Sequence, residues 1–358
     1  MIIGCVKEIK NNEFRVGLTP VSVKAYVDHG HHVYLEKSAG IGSGFNDEDY
    51  LESGAKILNT AKEVWDIAEM IVKVKEPLAS EYPYFREGLI IYTFLHLAAD
   101  YELTKALMDK KVTGIAYETI ADDTGLPCLR PMSEIAGRIS VLEANRFHFK
   151  YNGGQGILIS PIAGVPQTKV TIFGAGIVGS AALANAYGLG AEVTILDINE
   201  TKLSLLQQKY PFITTLKSNE ENIIASLKDA DIVISGVLLP GAHAPKMIKR
   251  EYYSWMKKGC VIADVAIDQG GSTEVSRPTT HDNPVYEVDG IIHYMVANIP
   301  GAVPKTATLA LNFTTLKYGL MIADLGLEKA LEDHAIVLGL NTYQGQVIHQ
   351  GVKEALNL

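Results

Sequence analysis

Short apolar runs and amphipathic segments alternate along the first third of the chain. Runs rich in branched apolar residues predict strands at residues 2–6, 33–36, 70–74, 89–94 and 114–117. Between them, apolar positions at helical spacing predict helices at residues 20–28, 47–53, 61–68 and 99–109. Strands separated by helices are typical of βαβ units, whose strands form a parallel sheet. This region therefore predicts an α/β domain.

The central stretch 169–199, KVTIFGAGIVGSAALANAYGLGAEVTILDIN, predicts a strand, a glycine turn, a helix and a second strand. Gly174, Gly176 and Gly179 fit the G-x-G-x-x-G pattern. In that pattern the first glycine allows a tight turn, the second admits a pyrophosphate, and the third lets the helix pack on the strand. The helix N-terminus offers N–H groups to the phosphates. This context predicts a dinucleotide site.

Asp197 ends the second strand of this stretch, where its carboxylate can accept hydrogen bonds from an adenosine ribose. No arginine follows it to bind a 2′-phosphate, which favours NAD over NADP. The alternative of a membrane span arises because residues 170–191 carry no charge. The glycines of this stretch break it into shorter pieces, which argues against a span.

The alternation continues through the rest of the chain. Helices are predicted at 200–208 and 220–228, and strands at 231–235, 260–265 and 292–296. Upstream, Arg130 and Pro131 predict a break, after which Ser133 can N-cap a helix that enters the nucleotide region. Residues 306–323 are apolar on nearly every side, which predicts a helix buried between domains or subunits. The tail to residue 358 shows no recognisable motif.

Composition is that of an ordinary globular enzyme. The 358 residues suffice for two domains with separate cores. The net charge of −9, without a basic block, argues against nucleic-acid binding, and the N-terminus does not resemble a signal peptide. Cys5, Cys128 and Cys260 are odd in number and far apart, so they predict neither a disulfide framework nor a metal site. A reducing, cytoplasmic setting is therefore expected.

Polar side chains follow three predicted strands of the first domain: Arg15, Lys75 and His96. Each taken alone could be a solvated or strand-capping residue. Ligands, however, bind beyond the carboxyl ends of strands in open α/β sheets, and all three residues share that placement. Arg15 suits a substrate carboxylate, Lys75 a developing negative oxygen, and His96 proton transfer near neutral pH. Together with an NAD site, they predict hydride transfer in a cleft between two domains.

Two polar residues of the second domain also follow predicted strands. Asp268 could steer ammonium or water, or it could cap a glycine turn. Asn298 could contact a nicotinamide or could be a turn residue. From spacing alone, the chain is predicted to be an NAD-dependent dehydrogenase of a small acid.

Several longer motifs carry a resemblance to a known family. They are IGCVKEIKNNEFRVGLTP, IVKVKEP, TFLHLA, RPMSEIAGR, IFGAGIVGS, SGVLLPGAHAP, ADVAIDQGG and VANIPGAVP. In this order, over nearly the whole chain, they resemble L-alanine dehydrogenases, of the alanine dehydrogenase/pyridine nucleotide transhydrogenase alpha family. The resemblance implies reversible oxidative deamination of L-alanine to pyruvate and ammonium, with NAD as cofactor. It also implies a homohexamer.

The resemblance further implies two Rossmann-like α/β domains. An NAD-binding domain at residues 130–304 is inserted within a discontinuous substrate domain, at residues 1–129 and 305–358. Arg15 and Lys75 bind the substrate carboxylate and carbonyl oxygen, His96 is the acid–base, and Asp268 assists the ammonia and water steps. Besides the fingerprint glycines, the positions that match NAD contacts are Ser133, Val178, Asp197, Lys202, Ser218, Val237, Leu238, Ile267 and Asn298.

Other functions stay open at this point. The NAD(H)-binding subunit of the proton-translocating transhydrogenase shares the implied architecture and the N-terminal motifs, but it carries Trp where this chain has His96. A non-catalytic NAD-binding module would not need an acid–base at a strand end. A saccharopine-type dehydrogenase would need a pocket for a larger amino acid. His96 and Asp268 together favour an enzyme that acts on its own substrate.

Overall fold

The computed structural model describes residues 1–237 and 244–358. Within these residues the strands are β1 (Ile2–Cys5), β2 (His32–Glu36), β3 (Lys56–Leu58), β4 (Met70–Val72), β5 (Ile90–Thr93), β6 (Thr113–Ala116), β7 (Lys169–Phe173), β8 (Glu192–Asp197), β9 (Thr214–Lys217), β10 (Ile232–Ser235), β11 (Val261–Asp264), β12 (Val285–Val288), β13 (Ile291–Tyr294), β14 (Leu340–Tyr343) and β15 (Gln346–Val347). The α-helices are α1 (Pro20–Asp28), α2 (Asp47–Glu52), α3 (Ala61–Ile67), α4 (Tyr101–Asp109), α5 (Arg130–Phe147), α6 (Ile177–Gly188), α7 (Glu200–Lys209), α8 (Glu220–Asp229), α9 (Pro304–Leu325), α10 (Leu327–Ala330), α11 (His334–Gly339) and α12 (Gln350–Leu356).

The chain divides into two compact units. Unit 1 comprises Met1–Met132 with Gly301–Leu358, and unit 2 comprises Ser133–Pro300. Each unit has its own sheet, so the predicted class of two α/β domains, one formed from two separate stretches of the chain, is confirmed.

The sheet of unit 1 has the strand order β15-β14-β6-β5-β4-β1-β2-β3. The strands from β6 to β3 run parallel, while β14 and β15 extend the sheet in antiparallel fashion. The chain proceeds outward from β1 to β3 on one side and from β4 to β6 on the other. The order thus reverses between β1 and β4, and such a reversal opens a crevice beyond the carboxyl ends of the two strands.

The sheet of unit 2 repeats this plan. Its order is β12-β13-β11-β10-β7-β8-β9, parallel except for the antiparallel edge strand β12. The chain proceeds from β7 to β9 on one side and returns to β10 on the other, so the reversal lies between β7 and β10. The glycine fingerprint follows β7, which places it at this reversal.

Local sequence signals explain where the helices begin. Thr19 caps α1, whose first residue is Pro20, and Asp100 caps α4. Thr60 and Glu63 form a capping box at the start of α3. These caps satisfy backbone N–H groups that a helix leaves unpaired in its first turn, so they fix the residue at which each helix begins.

Apolar residues of the strands and their flanking helices form a core in each unit. In unit 1, Trp65, Ile91 and Leu103 belong to one buried cluster, which also includes Val347 and Val352 from the tail. Burying a Val side chain fully contributes roughly 1.5–3 kcal/mol, so the tail is a stabilising part of unit 1. In unit 2 one such cluster gathers around strands β10 and β11.

Some sequence predictions need correction. Helix α5 begins at Arg130, so Ser133 lies within its first turns, and the predicted N-cap at Ser133 is wrong. Pro131 does not break the chain, because proline is tolerated in the first turn of a helix, where its missing N–H is not needed. The short strands β3, β9, β12, β14 and β15 were not predicted, since runs of so few residues carry little periodicity. The tail was predicted as mixed helix and loop, without bounds for its helices.

Candidate active site and nucleotide site

Four neighbouring parallel strands of unit 1 end at the same edge of the sheet: β6, β5, β4 and β1. Arg15 follows β1, Lys75 follows β4 and His96 follows β5. The segment that carries Arg15 runs against the end of β4, because a Cβ added to Gly17 would lie 2.5 Å from the carbonyl oxygen of Val72. The structure therefore gathers the three predicted residues at the edge where the strand order reverses.

Arg15 is held by a carboxylate two residues before it. The guanidinium Nε donates to Glu13 Oε1 at 2.7 Å, and Nη2 donates to Glu13 Oε2 at 2.5 Å. The exposed fractions of the two side chains are 2% and 0%. Nη1 lies 3.2 Å from Met132 Sδ. A two-point pair of this kind fixes the plane of the guanidinium, so Arg15 is a rigid cation in this site.

The backbone at Lys75 is held by a buried ionic group. Glu8 Oε1 accepts from the backbone N–H of Val74 at 2.6 Å and from that of Lys75 at 3.3 Å. Glu8 Oε2 lies 3.2 Å from Lys73 Nζ, which also donates to Glu81 Oε1 at 3.0 Å. Burial lowers the pKa of Lys73, but the two carboxylates outweigh this effect and raise that pKa above its usual value. Lys73 therefore stays charged and anchors the end of β4.

Glu76 interacts electrostatically with both Lys75 and His96. Its Oε2 lies 3.6 Å from Lys75 Nζ, and its Oε1 accepts from Lys10 Nζ. Burial raises the pKa of Glu76, but the nearby charges of Lys75, Lys10 and His96 hold it below its usual value. Glu76 is therefore ionised at neutral pH and attracts the basic groups around it.

His96 lies on a left-handed turn at the end of β5, with φ 51° and ψ 34°. Its ring stacks on Phe94, with centroids 5.8 Å apart and an interplanar angle of 6°. The side chain is 47% exposed, so a substrate can reach it. Glu118, which follows β6, places Oε1 4.0 Å from His96 Nδ1. His96 thus has an accessible imidazole with a carboxylate beside it.

In unit 2, each glycine of the fingerprint has a distinct geometric role. Gly174 adopts φ +94°, which favours glycine, and so forms the turn after β7. A Cβ added to Gly179 would lie 1.7 Å from the carbonyl oxygen of Gly174, so the third glycine allows α6 to pack against the turn. A Cβ added to Gly176 would meet nothing within 4 Å. The open space at Gly176, next to the N-terminus of α6, fits a pyrophosphate.

Asp197 joins the end of β8 to the fingerprint turn. Its Oδ2 accepts from the backbone N–H of Ala175 at 2.5 Å, and its Oδ1 accepts from that of Asn199 at 2.7 Å. These bonds orient the carboxylate and leave further lone pairs for ribose hydroxyls. An acidic residue here repels a 2′-phosphate, so the residues present fit NAD better than NADP.

Other predicted nucleotide positions lie around this turn. A Cβ on Gly236 would lie 2.7 Å from Val178 Cγ1, and a Cβ on Gly174 would lie 3.3 Å from Val237 Cγ2, so both valines pack beside the fingerprint. Ser133 is half-buried in α5. Leu238 lies outside the described residues.

Lys202 and Ser218 lie next to the strand end that carries Asp197. The backbone N–H of Lys202 donates to Asn199 Oδ1 at 3.0 Å, which caps α7. The backbone N–H of Ser218 donates to the carbonyl oxygen of Asp197 at 2.9 Å. Both residues are thus held close to the position expected for the adenosine ribose.

Asp268 lies on a turn that follows β11 and is fixed at both ends. At its start, the buried Asp264 accepts from the N–H groups of Ala266 at 3.0 Å and Ser272 at 2.6 Å. At its end, Lys246 Nζ donates to the carbonyl oxygens of Gly270 at 2.5 Å and Gly271. Burial raises the pKa of Asp264 although these hydrogen bonds oppose it. Asp268 itself is exposed, and Ile267 beside it is buried.

Asn298 follows β13 in a left-handed conformation, with φ 66°. Asparagine tolerates this conformation better than most residues, as a turn requires. His281 Nε2 lies 3.2 Å from the Asn298 carbonyl oxygen. A nicotinamide contact by Asn298 stays a prediction.

Sequence reasoning missed the carboxylates that hold the predicted residues: Glu8, Glu13, Glu76, Glu118 and Asp264. The strand predicted over 260–265 includes Asp264 but gives it no separate role. A carboxylate within an apolar run was the available signal, because a buried charge needs hydrogen-bond partners. For Glu118 the available signal was its position directly after the predicted strand 114–117. The same kind of signal predicted His96.

Unit 2 has the plan of a dinucleotide-binding α/β domain, and unit 1 carries charged side chains at its strand ends. This combination defines the class of nucleotide-dependent α/β dehydrogenases. Among the described residues, none of the helices is long and apolar enough to cross a membrane.

Comparison with known proteins narrows this class. Residues 4–136 match the model of the alanine dehydrogenase/PNT N-terminal domain, and residues 140–350 match that of its C-terminal domain. The whole chain is 53% identical to an alanine dehydrogenase of Methanococcus maripaludis and covers 97% of it. The chain therefore belongs to the alanine dehydrogenase/PNT family.

Solved structures agree with this result. An L-alanine dehydrogenase is 47% identical and superposes with a TM-score of 0.96, over 100% of this chain and 99% of the other. A transhydrogenase from Sinorhizobium meliloti is 26% identical, with a TM-score of 0.85 over 97% of this chain and 100% of the other.

Proposed function

We propose that this chain catalyses the NAD-dependent, reversible oxidative deamination of L-alanine to pyruvate and ammonium. The observation that carries the proposal is the placement of Arg15, Lys75 and His96 after three neighbouring strands, at one edge of the sheet of unit 1. It occurs in a chain that is 53% identical over its full length to an alanine dehydrogenase. Gly174, Gly176, Gly179 and Asp197 would hold NAD, which would supply the acceptor for the hydride that leaves C2 of the amino acid.

Arg15 and Lys75 bind the acid part of the substrate. The rigid guanidinium of Arg15, already oriented by Glu13, pairs with the substrate carboxylate. The ammonium of Lys75 lies against the oxygen at C2, where negative charge develops when pyruvate reacts.

His96 transfers the protons of the reaction. After loss of the hydride and of one N–H proton, L-alanine becomes iminopyruvate. Water then adds to C2, and His96 accepts the proton that the water releases. His96 returns that proton to the nitrogen of the carbinolamine. As the C–N bond breaks, the C2 hydroxyl gives up its remaining proton, which the departing ammonia takes up, so that pyruvate and ammonium form. Asp268, an exposed carboxylate on a fixed turn, attracts ammonium and orients the water.

The nucleotide contacts belong to the same proposal. Gly174, Gly176 and Gly179 shape the pyrophosphate site, and Asp197 binds the ribose. The further contacts proposed are Ser133, Val178, Lys202, Ser218, Val237, Leu238, Ile267 and Asn298.

The test is NADH formation with L-alanine, D-alanine and glycine, with NADP in place of NAD in parallel. Turnover confined largely to L-alanine with NAD is the expected result. Tight NADH binding without turnover of any amino acid would contradict the proposal. It would instead favour a transhydrogenase-like or sensing role, which the likeness to the Sinorhizobium meliloti structure keeps as the second candidate.

We also propose a cytoplasmic homohexamer. Helix α9 buries one face in unit 1, but it exposes 47% of Leu309 and 88% of Phe313 on another face. These side chains lie one turn apart, and such a stripe is suited to contact with another copy. Light scattering is expected to give six times 38.9 kDa for the wild type and a smaller mass for Phe313→Asp. The cysteines Cys5, Cys128 and Cys260 are unbridged, which supports a reducing compartment.

A further inference from the structure

Glu118 lies beside the turn that carries His96. Strands β5 and β6 are parallel neighbours, and their pairing ends where the Tyr117 N–H donates to the Thr93 carbonyl oxygen at 2.9 Å. The next residue after Tyr117, beyond the end of β6, is Glu118. Its side chain therefore emerges next to the chain that leaves β5.

The Glu118 carboxylate binds two consecutive backbone N–H groups of that chain. The N–H of Leu95 lies 3.2 Å from both carboxylate oxygens, and the N–H of His96 donates to Oε1 at 2.6 Å. Bonds from N–H groups to an ionised carboxylate are among the stronger hydrogen bonds of proteins. Glu118 thus ties the His96 turn to the adjacent strand.

The His96 turn needs such support because its backbone is left-handed, with φ 51°. This conformation is unfavourable for residues with a Cβ, and it persists where the surrounding structure enforces it. Two bonds to a single carboxylate enforce it directly. They also fix the direction of the Cα–Cβ bond from which the imidazole extends.

The same carboxylate acts on the imidazole ring. Glu118 Oε1 lies 4.0 Å from His96 Nδ1, which is too long for a direct hydrogen bond but close enough for electrostatic attraction. With Nδ1 on the side of Glu118 and one ring face against Phe94, Nε2 is the nitrogen directed elsewhere. A carboxylate in this position stabilises the imidazolium that proton transfer creates.

We infer that Glu118 is a positioning residue of the active site: it holds the left-handed His96 turn through the N–H groups of Leu95 and His96 and orients the imidazole through Nδ1. The inference rests on the proposed function, since it assigns His96 its task. An acid–base residue that is oriented by a neighbouring carboxylate recurs in enzymes of many folds.

The experiment compares Glu118→Ala and Glu118→Gln with the wild type. Alanine removes both the acceptor and the charge, whereas glutamine keeps an acceptor oxygen for the His96 N–H. The expected order of kcat for L-alanine is wild type, Glu118→Gln, Glu118→Ala, with a loss on the order of 100-fold for alanine, as for a misplacement of about 1 Å. KM for L-alanine and NADH affinity are expected to stay within about twofold, because neither Arg15 nor the fingerprint is touched.

Glu87→Ala is the matched control. Glu87 is an exposed glutamate of unit 1 that pairs with Lys111 at 3.1 Å, and its removal is expected to leave kcat unchanged. Amide hydrogen exchange of a peptide over residues 94–98 gives a readout independent of activity. Exchange is expected to be faster in Glu118→Ala than in the wild type, because two N–H groups lose their acceptor.

Several results would overturn the inference. Wild-type kcat in Glu118→Ala would do so, as would unchanged exchange over residues 94–98. A fall in kcat matched by an equal loss of substrate and NADH binding would reveal a merely structural role. His96→Ala is measured alongside. If His96→Ala is inactive while Glu118→Ala is fully active, the inference about Glu118 is wrong but the proposed role of His96 is retained. A wild type without L-alanine turnover would overturn the proposed function and the inference together.

Discussion

Units 1 and 2 share a topology but build their sites by different means. In both, the strand order reverses at one point, β1/β4 in unit 1 and β7/β10 in unit 2, and the candidate site follows that reversal. Unit 2 shapes its site mainly with backbone and missing side chains, as at Gly176 and Gly179. Unit 1 uses charged side chains held by carboxylates: Glu13 pairs with the Arg15 guanidinium, while Glu8 and Glu118 accept from the backbone N–H groups of Lys75 and His96.

The difference follows from what each site must do. A pyrophosphate needs close backbone approach and N–H groups, which glycines supply. Chemistry on a small acid needs charges and a proton carrier at fixed positions, and these are costly to bury without partners. Unit 1 therefore contains pairs such as Arg15–Glu13, whereas unit 2 needs few buried charges near its fingerprint.

The largest expected effect is a loss of catalysis in unit 1 without a loss of nucleotide binding in unit 2. His96→Ala is expected to lower kcat by roughly 10²- to 10⁴-fold, because general acid–base catalysis is lost. NADH affinity, followed by fluorescence titration, is expected to be unchanged. His32→Ala, at an exposed histidine of β2, is the control. Activity of His96→Ala near that of the wild type would refute its assigned role.

A second substitution tests the backbone site of unit 2. Gly176→Ala is expected to weaken NADH binding about 30-fold, or ~2 kcal/mol, because the new methyl group occupies the open space assigned to the pyrophosphate. The thermal unfolding temperature of the variant without ligand is expected to equal that of the wild type, since the added Cβ meets no atom within 4 Å. Gly188→Ala at the end of α6 is the matched control, because its Cβ also meets nothing. Equal NADH affinity in both variants would contradict the assignment.

A third substitution concerns the choice of nucleotide. Asp197→Asn keeps acceptor oxygen for the Ala175 or Asn199 N–H but removes the negative charge. The ratio of kcat/KM for NAD to that for NADP is expected to fall roughly tenfold, because repulsion of a 2′-phosphate is lost. Initial rates with both nucleotides measure the ratio. An unchanged ratio would mean that another residue excludes the 2′-phosphate.

The smallest expected effect is on the stability of unit 2 in mild acid. Burial lowers the pKa of His293 from 6.5 to about 4, although hydrogen bonds from its surroundings oppose this. The unfolded chain then binds more protons than the folded one between these values, so stability present above pH 6.5 is lost as the pH falls toward 4.

His293→Gln removes this titration. The stability advantage of the wild type over the variant is expected to shrink by about 1 kcal/mol between about pH 6.5 and 5.5, as measured by urea unfolding. Comparison with the variant cancels the titration of the other groups. A constant difference over that interval would show that His293 does not stay neutral in the folded state.

Features encoded locally, such as a capped helix or a glycine turn, were predicted better than the site of unit 1. Helix α1 was predicted with the bounds it has, and the fingerprint lies at the strand end where its spacing placed it. Both depend on local signals: a capped, periodic segment and a fixed glycine spacing. The predicted cap at Ser133 is wrong because Pro131 does not end the preceding segment: Pro131 lies in the first turn of α5, which begins at Arg130.

The partners of Lys75 and His96 could not be predicted in the same way. Glu8 contacts Lys75 across 67 positions of sequence, and Glu118 contacts His96 across 22. Such pairs form because the sheet order brings β1 beside β4 and β6 beside β5, which spacing along the chain does not encode. The roles of the site residues stay predictions until variants are measured.

The most direct test of the central claim is the product balance of the wild-type reaction with L-alanine and NAD. Pyruvate, ammonium and NADH are measured in the same reaction mixture over time. The account predicts equal amounts of the three, since each turnover transfers one hydride and releases one nitrogen. NADH binding without ammonium release, or NADH formation without pyruvate, would contradict it.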